Sequence, residues 1–282
     1  MDRDCYGWGV PSIAALRHAP WSLSKIQCAL RCPREFYFRY VERVAEPEVA
    51  PETRLGKAIH AVLEATLTRT PLGEALATGR RGLMSDEEQA RFGELGVGVE
   101  SFLVRIDGLR RRRRVRAELI EHRLGLTFDL SPTDFVARDV FFRGVWDAAF
   151  LFEDGVVAVV DHKSGVRRGA ADYADQLKGY AILAAKHLTV DKVWLGVHFV
   201  ADSAMEWTAP VSRAEVLEAF APRLLASIEE AAAHVGGGPT PQVSTWCQRC
   251  SYKSICPAMR QLALKDLPEP APELVDDVLK EG

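Results

Sequence analysis

The chain has 282 residues, 48% hydrophobic and 27% charged, with a formal net charge of −3. That length can bury a sizeable core in one large or two small domains, while the charge balance excludes nucleic-acid binding through an overall basic field and leaves only local patches. No stretch approaches the ~20 apolar residues that span a bilayer, and the start "MDRDCYGWGVPSIAALRHAP" lacks the basic-then-apolar order of a secretory signal, so the expectation is a cytoplasmic protein with no membrane partner.

Ser22 or Ser24 can cap a short first helix. Pro33 opens a second, "PREFYFRYV", at the position where a missing N–H is harmless. Cys32 then stands at a helix N-terminus, which favours its thiolate. In "LGKAIHAVLEATLTR", Leu55, Ile59, Val62, Leu63 and Leu67 form one helical stripe, with His60 on its edge. The Gly56-Lys57 pair lacks the following Ser or Thr and the upstream glycine of a phosphate loop, which argues against nucleotide binding.

From about Ser85 to Arg116 the chain is charged and helix-favouring. It carries five consecutive arginines, Arg110, Arg111, Arg112, Arg113 and Arg114, for which a solvated helix face and a phosphate-contacting patch are equally open. Leu124, Leu126, Phe128 and Leu130 alternate as a half-buried strand. A second strand is predicted from Val140 to Phe152 and a third from Val156 to His162, joined by "EDG". A three-residue loop ending in glycine pairs Phe152 with Val156, which sets Asp147 opposite Asp161 with Lys163 on the same face. A two-residue loop would instead send Asp147 to the other face.

"DYADQLKGYAILAAKHL" reads as a helix with Gln176 and Tyr180 one turn apart, and Val193 to Phe199 as another strand. Ser212 and Glu215 form a capping-box signature for a long helix kinked near Pro222, which "GGGPTPQ" ends. After Lys265, repeated Pro and Glu predict a mobile tail.

Two aspartates on one face repel each other and resist burial unless a cation compensates. Oxygen ligands suit Mg²⁺ or Mn²⁺, and a neighbouring lysine suits the charge that develops during phosphodiester hydrolysis. In order, "LGKAIHAVLE", "FRGVWDAAF", "VVDHKSG" and "DQLKGYAIL" resemble the PD-(D/E)xK nuclease superfamily, in particular its RecB-like branch, over roughly Leu55 to Phe199. The resemblance implies an α/β restriction-endonuclease-like αβββαβ core with a mixed central sheet. It assigns metal binding to His60, Asp147, Asp161 and the backbone carbonyl of His162. Lys163 would act on water or phosphate, Gln176 would orient the site, and Tyr180 and the arginine run would meet the substrate strand. Asp161 is shorter than the glutamate of many relatives, and His162 replaces a usually apolar or aromatic residue. Taken alone, His60 also reads as a helix histidine paired with Glu64.

"CQRCSYKSIC" gathers Cys247, Cys250 and Cys256. Cys32 is the chosen fourth ligand and Cys28 the reserve, and the spacing fits zinc or a [4Fe-4S] cluster equally. One cysteine before the core and three after it is similar to the iron-sulfur nucleases of the AddB C-terminal and CRISPR-associated RecB-like types, which implies a [4Fe-4S] cluster, with zinc the lesser alternative. The expected organisation is an N-terminal helical segment 1–54 giving one cluster cysteine, a nuclease core 55–210 with a helical insertion at about 85–116, a C-terminal helix and three-cysteine segment 211–265, and an acidic tail 266–282. The cluster would close an N/C-terminal cap. The resemblance further implies a metal-dependent exonuclease on single-stranded DNA ends, working with a CRISPR integrase complex or a recombination helicase, and it admits an oligomer. The alternative is a non-catalytic iron-sulfur DNA-binding or recruitment module.

Overall fold

A computed structural model describes residues 15–16, 19–47, 50–165 and 169–260. The tail 266–282 and Cys5 lie outside these residues. The chain forms two compact units, Met1–Arg17, Ser24–Val49 and Ser227–Gly282 in one, His18–Leu23 and Ala50–Ala226 in the other. This grouping sets most of 1–54 and the three-cysteine segment apart from the middle of the chain. No helix among the described residues is long and apolar enough to cross a membrane.

In the smaller unit, α1 (Leu23–Arg31) leads to α2 (Pro33–Phe36), which Pro33 opens, and a wider turn continues to Val41. Phe38 stacks on Tyr252 with ring centroids 5.2 Å apart. The hydroxyl of Tyr252 donates to the Val44 carbonyl at 3.2 Å. The buried Tyr37 donates to the Val235 carbonyl. The N- and C-terminal pieces are thus joined by aromatic packing whose polar tips are satisfied.

The larger unit begins with α3 (Pro51–Leu67), α4 (Leu72–Arg80) and α5 (Asp86–Arg112). A reciprocal Ser85–Glu88 capping box starts α5. The sheet follows as β1 (Val115–Leu126), β2 (Pro132–Thr133), β3 (Phe142–Phe152) and β4 (Val156–Lys163). Next come α6 (Ala174–His187), β5 (Lys192–Phe199), β6 (Ala204–Trp207) and β7 (Val211–Ser212). The strand order is β2-β1-β3-β4-β5-β6, with β7 also on β5. Among the described strands only β4 and β5 run parallel, and α6 makes the crossover that such a pair requires. The predicted α/β class with a mixed sheet is what the chain adopts.

One core joins Ile59, Val62, Leu63, Phe92, Val99 and Phe102 of the helices to Ala148, Phe150, Ala158 and Val160 of the sheet. Each large side chain fully buried there stabilises the fold by about 1.5–3 kcal/mol. Beyond β7, α7 (Arg213–Glu215) passes through a π turn at Val216–Phe220 into α8 (Ala221–Gly236). The irregularity predicted at Pro222 is therefore this widened turn just before the proline.

One strand departs from expectation. β1 begins at Val115, well before Leu124, and stops at Leu126. Phe128 is 55% exposed and Leu130 has φ +59°. Thr127 bonds to Asp129 and Ser131, so local side-chain bonding turns the chain there despite the apolar alternation.

Candidate active site

The β3–β4 hairpin turns through Glu153–Gly155, with Gly155 at φ +77° and its N–H on the Phe152 carbonyl at 3.3 Å. This is the predicted three-residue loop. Its ladder runs from Leu151↔Val157 to Ala148↔Val160, and one further step brings Asp147 to Asp161. There side-chain bonding replaces the ladder: Asp147 Oδ2 accepts the His162 N–H at 2.7 Å. On the other side of β3, the pairs Ile120↔Ala148 and His122↔Trp146 leave Glu121 across from Asp147. Glu121 has φ +46°, a left-handed conformation that costs a non-glycine residue about 1–3 kcal/mol.

His60 reaches this point from α3. Its Nε2 donates to the His162 carbonyl at 3.0 Å, and its Nδ1 lies 3.5 Å from Asp147 Oδ1. Ligand atoms of His60, Glu121 and Asp147 all lie within 4.8 Å of one another, the one such group among the described residues. His60 and Glu121 line an open cleft of about 400 Å³ with Gly56, Lys57, Ala61 and Glu64. Glu121 was absent from the sequence-predicted set. Its signal was an acid within a strand, readable only with β1 in its true register.

The remaining predicted residues form a second, linked cluster. Lys163 Nζ lies 2.7 Å from Asp161 Oδ2 and donates to Gln176 Oε1 at 2.9 Å. Gln176 Nε2 donates to Asp161 Oδ1 at 2.7 Å and also meets the Tyr180 hydroxyl at 2.8 Å. Asp161 is outside the close group of three: Gln176 and Tyr180 donate to its Oδ1, and its Oδ2 faces Lys163. Tyr180 is 7% exposed and its hydroxyl donates to Asp161 Oδ1 at 3.3 Å. In this position it orients Asp161.

The electrostatics are those of crowded acids. Burial, with the nearby Asp147 charge, raises Asp161 to about 6 despite Lys163. Burial and Asp147 also raise Glu121. Burial would lift Asp147, but the His60 bond and charge outweigh it and hold this carboxyl below the usual range. Burial would likewise depress His60, and the Asp147 bond overrides it upward. The two nitrogens of His60 face the Asp147 carboxylate and the His162 carbonyl, where a cation would compete with a proton. Burial drives His162 well below the ordinary histidine range and His198 down to about 4.

In the smaller unit, Cys32, Cys247, Cys250 and Cys256 all line one cavity of about 20 Å³. Two backbone amides point at its sulfurs, Gln242 N–H to Cys32 Sγ at 3.4 Å and Ser244 N–H to Cys247 Sγ at 3.5 Å. Burial raises Cys250 to about 11, with Cys32 and Cys247 adding to the rise. The reserve, Cys28, is buried apart from this lining, and burial pushes its thiol up to about 12. No three of these cysteines bring their sulfurs within 4.8 Å of one another among the described residues.

The arginine run is elsewhere. Arg110 binds Glu118 at 2.7 Å and Asp107 at 2.8 Å. Arg112 caps the Gly108 carbonyl. Arg113 binds Asp154, and Arg114 lies 3.7 Å from Glu153. These acids belong to the hairpin turn before β4, whereas Asp161 and Lys163 end that strand, roughly 15–20 Å away at strand rise. Local carboxylates engage Arg110, Arg113 and Arg114 at this end of the sheet.

A family model described as the PD-(D/E)XK nuclease superfamily matches residues 20–257. The chain is also similar to a solved structure, "Crystal structure of SSO0001", at 14% identity and a TM-score of 0.36, covering 85% of this chain and 86% of that one. No curated protein matches it.

Proposed function

This chain belongs to the PD-(D/E)XK nuclease superfamily, and from that premise we propose that it is a divalent-cation-dependent DNA exonuclease acting on single-stranded ends. The observation that carries the reading is the convergence of His60, Glu121 and Asp147 beside the Asp161–Lys163 pair. One imidazole and several carboxylates, with acids raised by burial and by crowding, fit Mn²⁺ or Mg²⁺. His60, Glu121 and Asp147 would hold the ion, with Asp161 and the His162 carbonyl at its border. The bound ion supplies Lewis acidity and a more acidic water.

The chain's own groups do the rest. Lys163 offers a positive charge to phosphoryl oxygens as they gain charge, and it is held for this by Asp161 and Gln176. Gln176 fixes the lysine and Asp161 together, and Tyr180 restrains the same carboxylate. The strand preference follows the RecB-like resemblance. Such ends arise in CRISPR spacer acquisition beside an integrase complex, and in recombination or phage DNA processing beside a helicase.

Cys32, Cys247, Cys250 and Cys256 would hold a [4Fe-4S] cluster, with zinc the lesser alternative. The shared cavity and its two N–H···S contacts support a thiolate centre. Its role would be structural, clipping the N-terminal segment to the C-terminal one. Anaerobic purification tests it: brown protein containing iron and sulfide supports the cluster, and colourless zinc protein refutes it.

The catalytic reading is tested with end-labelled single-stranded DNA in Mn²⁺, Mg²⁺ or EDTA. Progressive loss from an end in Mn²⁺, stopped by EDTA and by Lys163→Ala, is the expected result. Unchanged cleavage by Lys163→Ala would return the non-catalytic module to first place.

A further inference from the structure

Behind the cleft, two imidazoles are buried against each other. His162 and His198 are 2% and 1% exposed, lie opposite each other in the parallel β4–β5 register, and bring their Nδ1 atoms to 3.0 Å. One nitrogen must donate and the other accept, so the neutral rings hold opposite tautomers. Phe102 closes the cage, stacked on His198 at 4.7 Å and edge-on to His162 at 4.7 Å. α5 comes this near because Gly98, one turn earlier, has no side chain: a Cβ there would lie 1.9 Å from the Val200 carbonyl.

Burying polar atoms in a site that apolar side chains could fill is costly for each poorly satisfied group. The compensating benefit lies in what His162 holds. Its N–H fixes Asp147 at 2.7 Å and its carbonyl receives His60 at 3.0 Å. The ring, held by His198 and packed against Phe102, pins the His162 Cα from the side, and the amide and carbonyl flank that Cα.

We propose that His198 is a positioning residue: its Nδ1 locks the His162 ring, and so sets the backbone amide and carbonyl that aim Asp147 and His60 at the cation. This rests on the cation site described above. The test is Mn²⁺ binding, followed by electron paramagnetic resonance, in wild type, His198→Asn, His198→Gln and His198→Leu, with Asp147→Asn defining the signal from this site. An Asn amide reaches the place of Nδ1, and a Gln amide that of Nε2. His198→Asn is expected to keep affinity within about threefold, while His198→Gln and His198→Leu lose about tenfold or more, the scale seen when a ligand's outer partner is removed. Melting temperatures should not follow that order. If His198→Leu does not fold, the Asn and Gln variants decide alone. Wild-type affinity in His198→Gln, or losses that track melting temperature, overturns the positioning role. Wild-type Mn²⁺ binding that Asp147→Asn leaves unchanged overturns the cation site itself.

Discussion

At the hairpin end of β3 and β4, Arg113 meets Asp154 and Arg114 meets Glu153, each charge answered by its opposite. At the far end of the same strands, Asp147, Asp161 and Glu121 crowd together, and the basic groups among them are His60 and Lys163. The first arrangement is cheap and exposed, and such pairs contribute about 0–1 kcal/mol each. The second raises acids, strains the backbone at Glu121 and buries a carboxylate at 2% exposure. Charge density alone therefore does not mark a functional surface; unrelieved like charge under burial does.

The contrast is broken most sharply at Lys163. Lys163→Ala should lower single-strand cleavage by about 10²–10⁴-fold, the range of a positioned proton-transfer or charge-stabilising group, with the fold intact by circular dichroism. Glu121 comes next. Glu121→Gln should weaken Mn²⁺ binding about 10–100-fold. Glu121→Gly should bind as poorly yet melt no lower than wild type, because glycine accepts φ +46° without strain.

The pH dependence of the cation-free protein sharpens the same point. A raised acid binds its proton more tightly when folded, so Asp161 stabilises the fold fully below its ordinary value and loses that contribution as pH rises through about 6. His60, also raised, loses its contribution as pH rises. Depressed His162 and His198 work in the opposite direction over this range, so the test is a difference. Between pH 4 and 7 the metal-free wild type should lose on the order of 1–3 kcal/mol relative to Asp161→Asn, and the stabilisation by added Mn²⁺ should grow over the same range. A Mn²⁺ effect equal at both ends would place the ion elsewhere. The smallest effects belong to the arginine run. Arg110→Ala should cost about 0.5–1 kcal/mol, discounted for its partial exposure, and Arg111→Ala should change cleavage less than about twofold, since phosphate contacts act near the bound strand.

Local chemistry explains what the sequence made legible. The "EDG" loop dictates its own register through one glycine, so the approach of Asp147 to Asp161 follows from three residues. Gln176 and Tyr180 follow from helical spacing. Cys32 rather than Cys28 faces the shared cavity because Pro33 opens α2 directly after it. The illegible parts were set by distant contacts. Val115 to His122 carries polar residues on both faces and no clean alternation, so β1 hid Glu121. Leu124 to Leu130 does alternate, yet side-chain bonds from Thr127 turn the chain after Leu126. Arg113 and Arg114 find their acids in a hairpin about 40 residues away, which no local pattern reveals.

Crystals soaked in Mn²⁺ and measured for anomalous scattering at the manganese edge test the cleft most directly. The expected result is a peak bonded to a His60 nitrogen and to carboxylate oxygens of Glu121 and Asp147. Manganese bound only elsewhere, with these three side chains unmoved, would contradict it.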